Sequence, residues 1–392
     1  MYIRDRLSAC FIIFVYIIIL SAPGKSLECR DDNNKPIDWY VAYKIPKMSD
    51  SSNPLIRQGV AYLYMTSDSS SSGWQLSSKD ISSKDSIAGY TLSPLYKNEN
   101  SSDLWILYND QPPNKAPATK YGHTKGVVMV SSKQGFWLIH SVPLFPSVPK
   151  DGVDLSKSSG KSEMDIPSEG KYDYPTSGKH FGQTFLCISM NKDQFDVVGQ
   201  QLMYNQIVPY RINLPETLKK QYSVLADAAR KKRIKNPPYN HKVSIKSLEE
   251  IEFLSFAKSD KWQKDLYDDF LAPQLGVDLL TETWLNGRGK LPSECNGSKV
   301  MNVKSVILEK ANVNFKSSHD HSKWAVSNNN KKNHNWICIG DVNRADTQFN
   351  RGGGAVCFNS LNVWRTYRGS VNDIEPCPKK KFSLINWVKS WF

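Results

Sequence analysis

The stretch Gly122-His-Thr-Lys-Gly-Val-Val-Met-Val130, followed by four polar residues and then by Gly135-Phe-Trp-Leu-Ile-His140, predicts a β-hairpin with a basic entrance. Apolar runs rich in β-branched and aromatic residues on either side of a polar turn are typical of antiparallel strands. A second stretch repeats this arrangement: Asp320-His-Ser-Lys-Trp-Ala-Val326, a polar loop and Trp336-Ile-Cys-Ile-Gly340. The repeat predicts an α/β fold of two pseudo-symmetric halves, each a mixed β-sheet flanked by helices. We place the halves at residues 27–210 and 211–392.

Both hairpins begin with His-x-Lys. Residues i and i+2 of a strand face the same side, so His123 should project with Lys125, and His321 with Lys323. A lysine can neutralise a phosphate oxygen while an imidazole attacks phosphorus or moves a proton. One such triplet is common by chance and usually marks an exposed basic strand end. Two copies in matching strand contexts favour phosphodiester chemistry.

The hairpin geometry predicts further polar groups beside these histidines. In an antiparallel pair, the start of one strand lies next to the end of the other. We therefore expect His140 near His123, and Asp341 or Asn343 near His321.

The overall composition fits a folded chain with a polyanionic partner. Of 392 residues, 40% are hydrophobic and 11% aromatic, which excludes a chain that is mostly disordered. The formal net charge of +13 favours nucleic acid, an acidic glycan or an anionic lipid surface. Charge alone does not choose among these three.

The beginning of the chain predicts export. Basic residues precede an apolar run and then small residues, so we interpret residues 1–26 as a signal peptide; the alternative is a signal anchor, for which the run is short. Six cysteines follow residue 26, and an even number in an exported chain predicts disulfides, in roughly 15 alternative pairings. Asn100 and Asn296 begin N-glycosylation sequons.

Other patterns are weaker. The chain has no Gly-x-Ser-x-Gly and no His-Glu-x-x-His motif, and His319-Asp320-His321 lacks the further His or Cys residues of a metal site. The basic run at residues 230–235 is interpreted as a solvated helix end or, second, as a DNA-contact patch. Arg351-Gly-Gly-Gly354 is interpreted as a flexible turn. Residues 215–233 and part of residues 253–271 are expected to be helical.

Longer motifs resemble the deoxyribonuclease II family, a branch of the phospholipase D-like superfamily. They run through nearly all of the chain after residue 26, in family order. They are Asp38-Trp-Tyr-Val-Ala-Tyr-Lys44, Tyr108-Asn-Asp-Gln-Pro-Pro113, Gly122-His-Thr-Lys-Gly-Val127, Gly135-Phe-Trp-Leu-Ile-His-Ser-Val-Pro143, Gly182-Gln-Thr-Phe-Leu-Cys187, Asp320-His-Ser-Lys-Trp324, Trp336-Ile-Cys-Ile-Gly-Asp-Val-Asn-Arg344 and Arg351-Gly-Gly-Gly354.

The resemblance implies a phospholipase D-like fold and an endonuclease that cuts DNA at acid pH without a metal or other cofactor, leaving 3′-phosphate and 5′-hydroxyl ends. It implies His123 as nucleophile, forming a phosphohistidine, and His321 as general acid. Lys125 and Lys323 would hold the phosphate oxygens. The remaining implied residues are the supporting side chains His140 and Asn343 and the disulfides Cys29–Cys187, Cys295–Cys377 and Cys338–Cys357.

One departure concerns the superfamily's acidic residue. The wider pattern places an Asp after four further residues beyond the Lys, where this chain has Val130 and Asn328. The deoxyribonuclease II branch also lacks that Asp, and all four His-x-Lys residues are intact. An active enzyme is therefore expected.

The sequence thus predicts a secreted or lysosomal acid endonuclease with DNA as substrate, no obligatory metal and no stable membrane anchor. One alternative is a secreted DNA-binding or host-interaction protein on the same scaffold, with activity weak or lost. Another is a phosphodiesterase acting on lipid or RNA. The oligomeric state is left open.

Overall fold

The structure is a computed structural model that describes residues 26–97, 102–113, 116–155, 170–328 and 334–378. The predicted signal peptide, except for its last residue, and the sequon residue Asn100 lie outside the described residues. The strands are β1 Cys29–Arg30, β2 Pro36–Ile37, β3 Trp39–Lys44, β4 Tyr62–Thr66, β5 Gln75–Leu76, β6 Leu104–Asn109, β7 Lys125–Val130, β8 Gln134–His140, β9 Val153–Asp154, β10 Gln183–Asn191, β11 Pro209–Asn213, β12 Asn240–Lys246, β13 Glu252–Lys258, β14 Leu279–Glu282, β15 Val300–Leu308, β16 Val313–Lys316, β17 Trp324–Ser327, β18 Trp336–Gly340, β19 Gly353–Asn359 and β20 Val371–Ile374. The α-helices are α1 Pro54–Gln58, α2 Ile87–Leu92, α3 Thr176–His180, α4 Phe195–Asn205, α5 Glu216–Gln221, α6 Ser223–Ala229, α7 Ala272–Leu275 and α8 Leu361–Gly369.

Two large sheets form the molecule, which confirms the α/β fold class. The first sheet has the order β5-β4-β3-β10-β8-β7-β6-β11-β9, and its strand pairs are antiparallel. The second has the order β12-β13-β19-β18-β17-β14-β15-β16, with β20 also on β15, and it is mixed because β14 and β15 run parallel. The first sheet continues to the end of β11, a few residues beyond position 210; the division of the chain into two halves stays a prediction.

Both predicted hairpins are present. Strand β7 pairs antiparallel with β8, with Val127 opposite Leu138. Strand β17 pairs antiparallel with β18, with Trp324 opposite Ile339. Each hairpin is extended by a third antiparallel strand, β10 in the first sheet and β19 in the second. The central part of each sheet therefore has the same three-strand plan.

The main hydrophobic core holds the two sheets face to face. It contains apolar side chains from both sheets, and the rings of Trp39 on β3 and Phe358 on β19 lie 5.3 Å apart across the interface. Helices α4 and α8, which follow β10 and β19, bury Val198 and Val363 in the same core. Each fully buried aliphatic or aromatic side chain contributes about 1.5–3 kcal/mol, so this core fixes how the two halves meet.

The helical expectations are met in part. Residues 215–233 form α5 and α6. The stretch at 253–271 begins in strand β13 and then contains a short 3-10 helix at Asp260–Trp262 and a π-helix at Tyr267–Leu271. Residues 252–258 are instead a strand between β12 and β19, on which Phe253 and Phe256 are buried.

The structure joins Cys29 to Cys187, Cys295 to Cys377 and Cys338 to Cys357, which are the pairs that the resemblance implies. The last pair links opposite positions on β18 and β19. Disulfides persist in oxidising compartments, so the three bonds are consistent with a secreted or lysosomal protein.

Candidate active site

The entrances of the two hairpins meet through reciprocal backbone contacts. The His123 amide donates to the Gly352 carbonyl, just before β19, at 2.9 Å. The His321 amide donates to the Gly182 carbonyl, just before β10, also at 2.9 Å. Each histidine is thus anchored just ahead of the third strand of the other sheet, and this exchange brings the two His-x-Lys motifs together.

His123 and His321 line one cleft of about 280 Å³. Asn343 lies in its wall, as expected from the second hairpin. Arg288 and Lys290 add positive charge to the same cleft. The cleft therefore joins two imidazoles with cations, an arrangement suited to an anionic diester.

The first lysine is held by a carboxylate that we did not predict. Lys125 Nζ lies 2.5 Å from Asp110 Oδ1, and both side chains are buried. The other carboxylate oxygen accepts from Arg351 at 3.1 Å and lies 3.8 Å from His123 Nε2. Asp110 directly follows β6, whose last residue Asn109 pairs with Lys125 on β7, so the carboxylate lies at the same end of the sheet as the first His-x-Lys motif. Its only sequence signal was the family motif around residue 110.

The second histidine is oriented by the first half of the chain. His321 Nδ1 lies 2.9 Å from the Ser141 carbonyl oxygen and 3.4 Å from Gln183 Oε1. A carbonyl only accepts, so Nδ1–H donates to Ser141 and Nε2 is left for the cleft. Lys323 Nζ donates to the His321 carbonyl at 2.6 Å, and the Trp284 ring packs edge-on against the imidazole, 5.2 Å between centroids.

The environment disfavours a proton on either histidine. Burial lowers the pKa of His123 well below its usual range, and Lys125, Arg351, Lys323 and His321 lower it further. Burial, then Lys323 and Lys125, lowers the pKa of His321, whereas its hydrogen bond to Ser141 acts in the opposite direction. His321 therefore has a backbone contact that stabilises its protonated form, whereas around His123 the cations Lys125, Arg351 and Lys323 oppose the effect of the Asp110 carboxylate.

The two supporting residues have different surroundings. The buried Nδ1 of His140 accepts from the Val142 amide at 3.2 Å, and its ring packs against Phe145 and Phe185. Burial, and then the charge of Lys125, lower the pKa of His140, so this imidazole lies near the first His-x-Lys motif but among aromatic rings. Asn343 Oδ1 is buried without a hydrogen-bond partner among the described residues and lies in the wall of the cleft.

The expectation of a flexible turn at Arg351 is wrong. Arg351 donates to the carbonyls of Tyr121, Ala118 and Gly122 at 2.9–3.1 Å, in addition to Asp110. Glycine is needed after it because the backbone packs closely: a Cβ on Gly352 would lie 2.5 Å from the Asn205 carbonyl oxygen. Residues 351–354 therefore connect the second sheet to the segment between β6 and β7. A run of glycines alone does not indicate this role.

Three other expectations concern the surface and metal binding. Asn296 is exposed and accessible as a sequon. Within the described ranges, no helix is long and apolar enough to cross a membrane, and no cluster of three or more His, Cys, Asp or Glu side chains has the geometry of a metal site. The Asp320 carboxylate instead accepts hydrogen bonds from the Tyr43 hydroxyl and the Ser322 amide.

Comparison with known proteins places this fold and cleft in a family. The family model for deoxyribonuclease II matches residues 28–377. The chain is 38% identical to plancitoxin-1 of Acanthaster planci, with 93% of this chain and 96% of the relative covered. It is 35% identical to deoxyribonuclease-2-alpha of Rattus norvegicus, covering 92% and 97%, and 31% identical to cell-death-related nuclease 7 of Caenorhabditis elegans, covering 96% of each.

The chain belongs to the deoxyribonuclease II family, as the motifs predicted. Its class is that of a deoxyribonuclease II-like nuclease. Among solved structures, yeast tyrosyl-DNA phosphodiesterase matches at 9% identity with a TM-score of 0.29, covering 61% of this chain and 67% of that chain. So weak a likeness carries no argument about the site.

Proposed function

We propose that this protein is an endonuclease that hydrolyses DNA phosphodiesters at acid pH through a phosphohistidine on His123. The observation that supports the proposal best is the single cleft lined by His123 and His321, with a lysine from each motif buried beside it. The names of the relatives, deoxyribonuclease-2-alpha among them, supply the substrate class.

In the first step, His123 Nε2 attacks phosphorus and the bond from phosphorus to the 5′ oxygen breaks. His321 donates its Nε2 proton to the leaving oxygen, giving a 5′-hydroxyl. In the second step, water attacks the phosphohistidine while neutral His321 accepts a water proton. The phosphorus–nitrogen bond then breaks and leaves a 3′-phosphate.

The local environment supports this division of roles. The Ser141 carbonyl stabilises a protonated His321, which suits the acid, whereas neighbouring cations keep His123 neutral, which suits the nucleophile. Lys125 and Lys323 are the electrophilic support for the phosphate oxygens, the task that a divalent ion performs in other nucleases. We therefore expect activity in the presence of a chelator.

The acid dependence has a physical cause in this cleft. Burial and nearby lysines lower the pKa of both histidines, so both are neutral at neutral pH and no proton donor is available. In this proposal the imidazole that acidification protonates for catalysis is His321, because its Nδ1–H donates to the Ser141 carbonyl. Turnover should therefore rise as the pH falls, until His123 is protonated as well.

The first test is nicking of supercoiled plasmid at about pH 5 with EDTA, where histidine protonation is accessible. We expect wild-type protein to cut and His123→Ala and His321→Ala to lose turnover, with His180→Ala, an exposed histidine, as matched control. Product ends should accept terminal transferase only after phosphatase treatment. A requirement for Mg²⁺, or free 3′-hydroxyl ends, would overturn the mechanism.

A second test separates nucleophile from acid. A thymidine 3′-(p-nitrophenyl phosphate) has a leaving group that needs no proton. His321→Ala should release one equivalent of p-nitrophenolate in a burst and retain a phosphoryl adduct, and His123→Ala should release none. The opposite pattern would exchange the two roles.

The same measurements address the inactive-scaffold alternative. A protein that binds duplex DNA but leaves plasmid and aryl diester intact would be a DNA-binding relative without activity. We further propose that the protein acts outside the cytosol, in a lysosome or after secretion, because its three disulfides need an oxidising compartment.

A further inference from the structure

The basic run at residues 230–235 does not lie apart from the candidate active site. The Arg233 guanidinium stacks on the Tyr121 ring at 3.6 Å, and Tyr121 precedes His123 by two residues. Consecutive Cα atoms are about 3.8 Å apart, so the ring beneath Arg233 belongs to the loop that carries the proposed nucleophile.

This loop is also fixed to the wall of the cleft. Arg351, which lines the cleft, donates to the Tyr121 and Gly122 carbonyls. Gln206 accepts from the Gly122 amide at 3.1 Å and donates to Asp260 at 2.8 Å. The adjacent Lys261 donates to the Lys235 carbonyl at 3.2 Å. A continuous set of contacts therefore connects the basic run with the cleft.

We propose that Lys120, Lys231, Arg233, Lys235 and Lys261, which we call the basic rim, bind the phosphate backbone of duplex DNA that flanks the scissile bond. The inference rests on the proposed function, because it assigns the substrate's flanking duplex to a surface beside the same cleft. The lysines of the rim are exposed, and only Arg233 is half-buried.

The charges of the rim are available to a ligand. Asp227 is occupied by Arg230 at 3.2 Å and Lys232 at 2.7 Å. Lys120, Lys231 and Lys235 have no carboxylate within ion-pair distance in the part of the chain that the structure describes. Duplex DNA carries one negative charge per about 1.7 Å of axis, so several phosphates can reach such a surface at once. These contacts involve backbone phosphates and should be independent of sequence.

A second groove also contains lysines and is the alternative binding surface for DNA. Its lysines therefore provide the matched control variant. It is lined by Lys47, Lys304 and Lys316, but Asp50 and Asp373 lie in the same wall, and Lys304 pairs with Asp373 at 2.7 Å. Its positive charge is therefore partly neutralised inside the groove. Three lysine charges can be removed from the basic rim or from this groove, so the two triple variants differ only in where the charge is lost.

The experiment measures binding of a fluorescent 24-base-pair duplex to a His321→Ala background across a series of salt concentrations. We expect Lys120→Gln/Lys231→Gln/Lys235→Gln to weaken binding about tenfold near physiological salt. The slope of log K against log salt should fall by about 2–3, since each lost phosphate contact contributes about 0.9. Lys47→Gln/Lys304→Gln/Lys316→Gln should change affinity by less than about twofold. Equal weakening by both triples, or no change from the rim triple, would overturn the proposal.

A second measurement separates this proposal from the function on which it rests. In a background with both histidines intact, the rim triple should hydrolyse thymidine 3′-(p-nitrophenyl phosphate) at the wild-type rate while its KM for duplex DNA rises. A reduced rate on the small diester would show that the rim acts on the catalytic loop and would overturn the proposal. A wild-type protein that cleaves neither substrate contradicts the proposed function alone, because duplex affinity still reports on the rim.

Discussion

Replacing Arg351 by alanine should uncouple the two halves of the candidate active site. This side chain leaves the second half just before β19 and donates to the Tyr121, Ala118 and Gly122 carbonyls and to Asp110. All four acceptors belong to the segment between β6 and β7 that leads to the proposed nucleophile. Arg351 is therefore a positioning residue for the loop ahead of β7.

The magnitude follows from these contacts. A net hydrogen bond from a charged donor contributes about 1.5–3 kcal/mol, but water in the open cleft can replace part of the three carbonyl contacts. Asp110 keeps its bond to Lys125, so it is not left without a partner. We expect Arg351→Ala to lower the free energy of unfolding by about 3–5 kcal/mol, in the range for breaking a buried pair. Loosening the loop should lower kcat on the order of 10²-fold, because a shift of about 1 Å has an effect of this size.

The assay compares Arg351→Ala with Arg351→Lys in urea unfolding and in kinetics on the aryl diester. Lysine keeps the charge beside Asp110 but has no planar fork to reach several carbonyls. It should recover part of the stability and little of the rate, with KM nearly unchanged. If lysine restored the rate and the alanine variant mainly raised KM, Arg351 would bind the phosphate directly. A folded alanine variant with full kcat would refute the positioning role.

Three further predictions follow from the site and its surroundings. Lys323→Gln removes a cation that lowers the pKa of His321, so the pKa of His321 should rise. The alkaline limb of the kcat/KM profile should then move to higher pH, and the maximum should fall. An unmoved alkaline limb would contradict this prediction. Replacing Cys338 and Cys357 by alanine opens a loop with a sequence separation of 19 and should cost about 3 kcal/mol in urea unfolding, an expectation that an unchanged midpoint would refute. Burial raises the pKa of Asp341 to about 8 from 3.8, so its contribution to stability is full below about pH 3.8 and is lost as the pH rises through about 8. Asp341→Asn should therefore weaken the dependence of stability on pH in this window, and unfolding curves of both proteins with the same dependence would contradict the assignment.

The hairpins were predictable because their pattern is local. Short apolar runs rich in β-branched and aromatic residues, such as residues 126–130 and 135–139, indicate two strands, and the polar residues between them indicate the turn, without reference to the rest of the chain. The pairing of β7 with β8 and of β17 with β18 follows directly. Strand β13 was not predictable in the same way. The burial of its phenylalanines follows from its pairing with β12 and β19, and that pairing is not visible in the local sequence.

The cross-half contacts of the site were not predictable from spacing. Asp110 and Arg351 are 241 residues apart and meet only because the sheets pack face to face. No periodicity indicates that pair, and the glycines after Arg351 point to flexibility when read alone. Their actual role, close packing against residue Asn205, is a property of the assembled fold.

The same argument explains why two nearly identical motifs should perform different chemistry. His123 and His321 share the His-x-Lys pattern and the anchoring of their amides in the opposite half. They differ in the groups around the ring: His321 Nδ1 meets the Ser141 carbonyl, while His123 Nε2 faces the Asp110 carboxylate among the cations Lys125, Arg351 and Lys323. A duplicated motif in a symmetric environment would give both imidazoles the same proton affinity. The mechanism, however, needs one imidazole protonated as the acid and the other neutral as the nucleophile. Asymmetry in the surrounding residues separates the two roles, and burial moves the pH at which they coexist into the acid range.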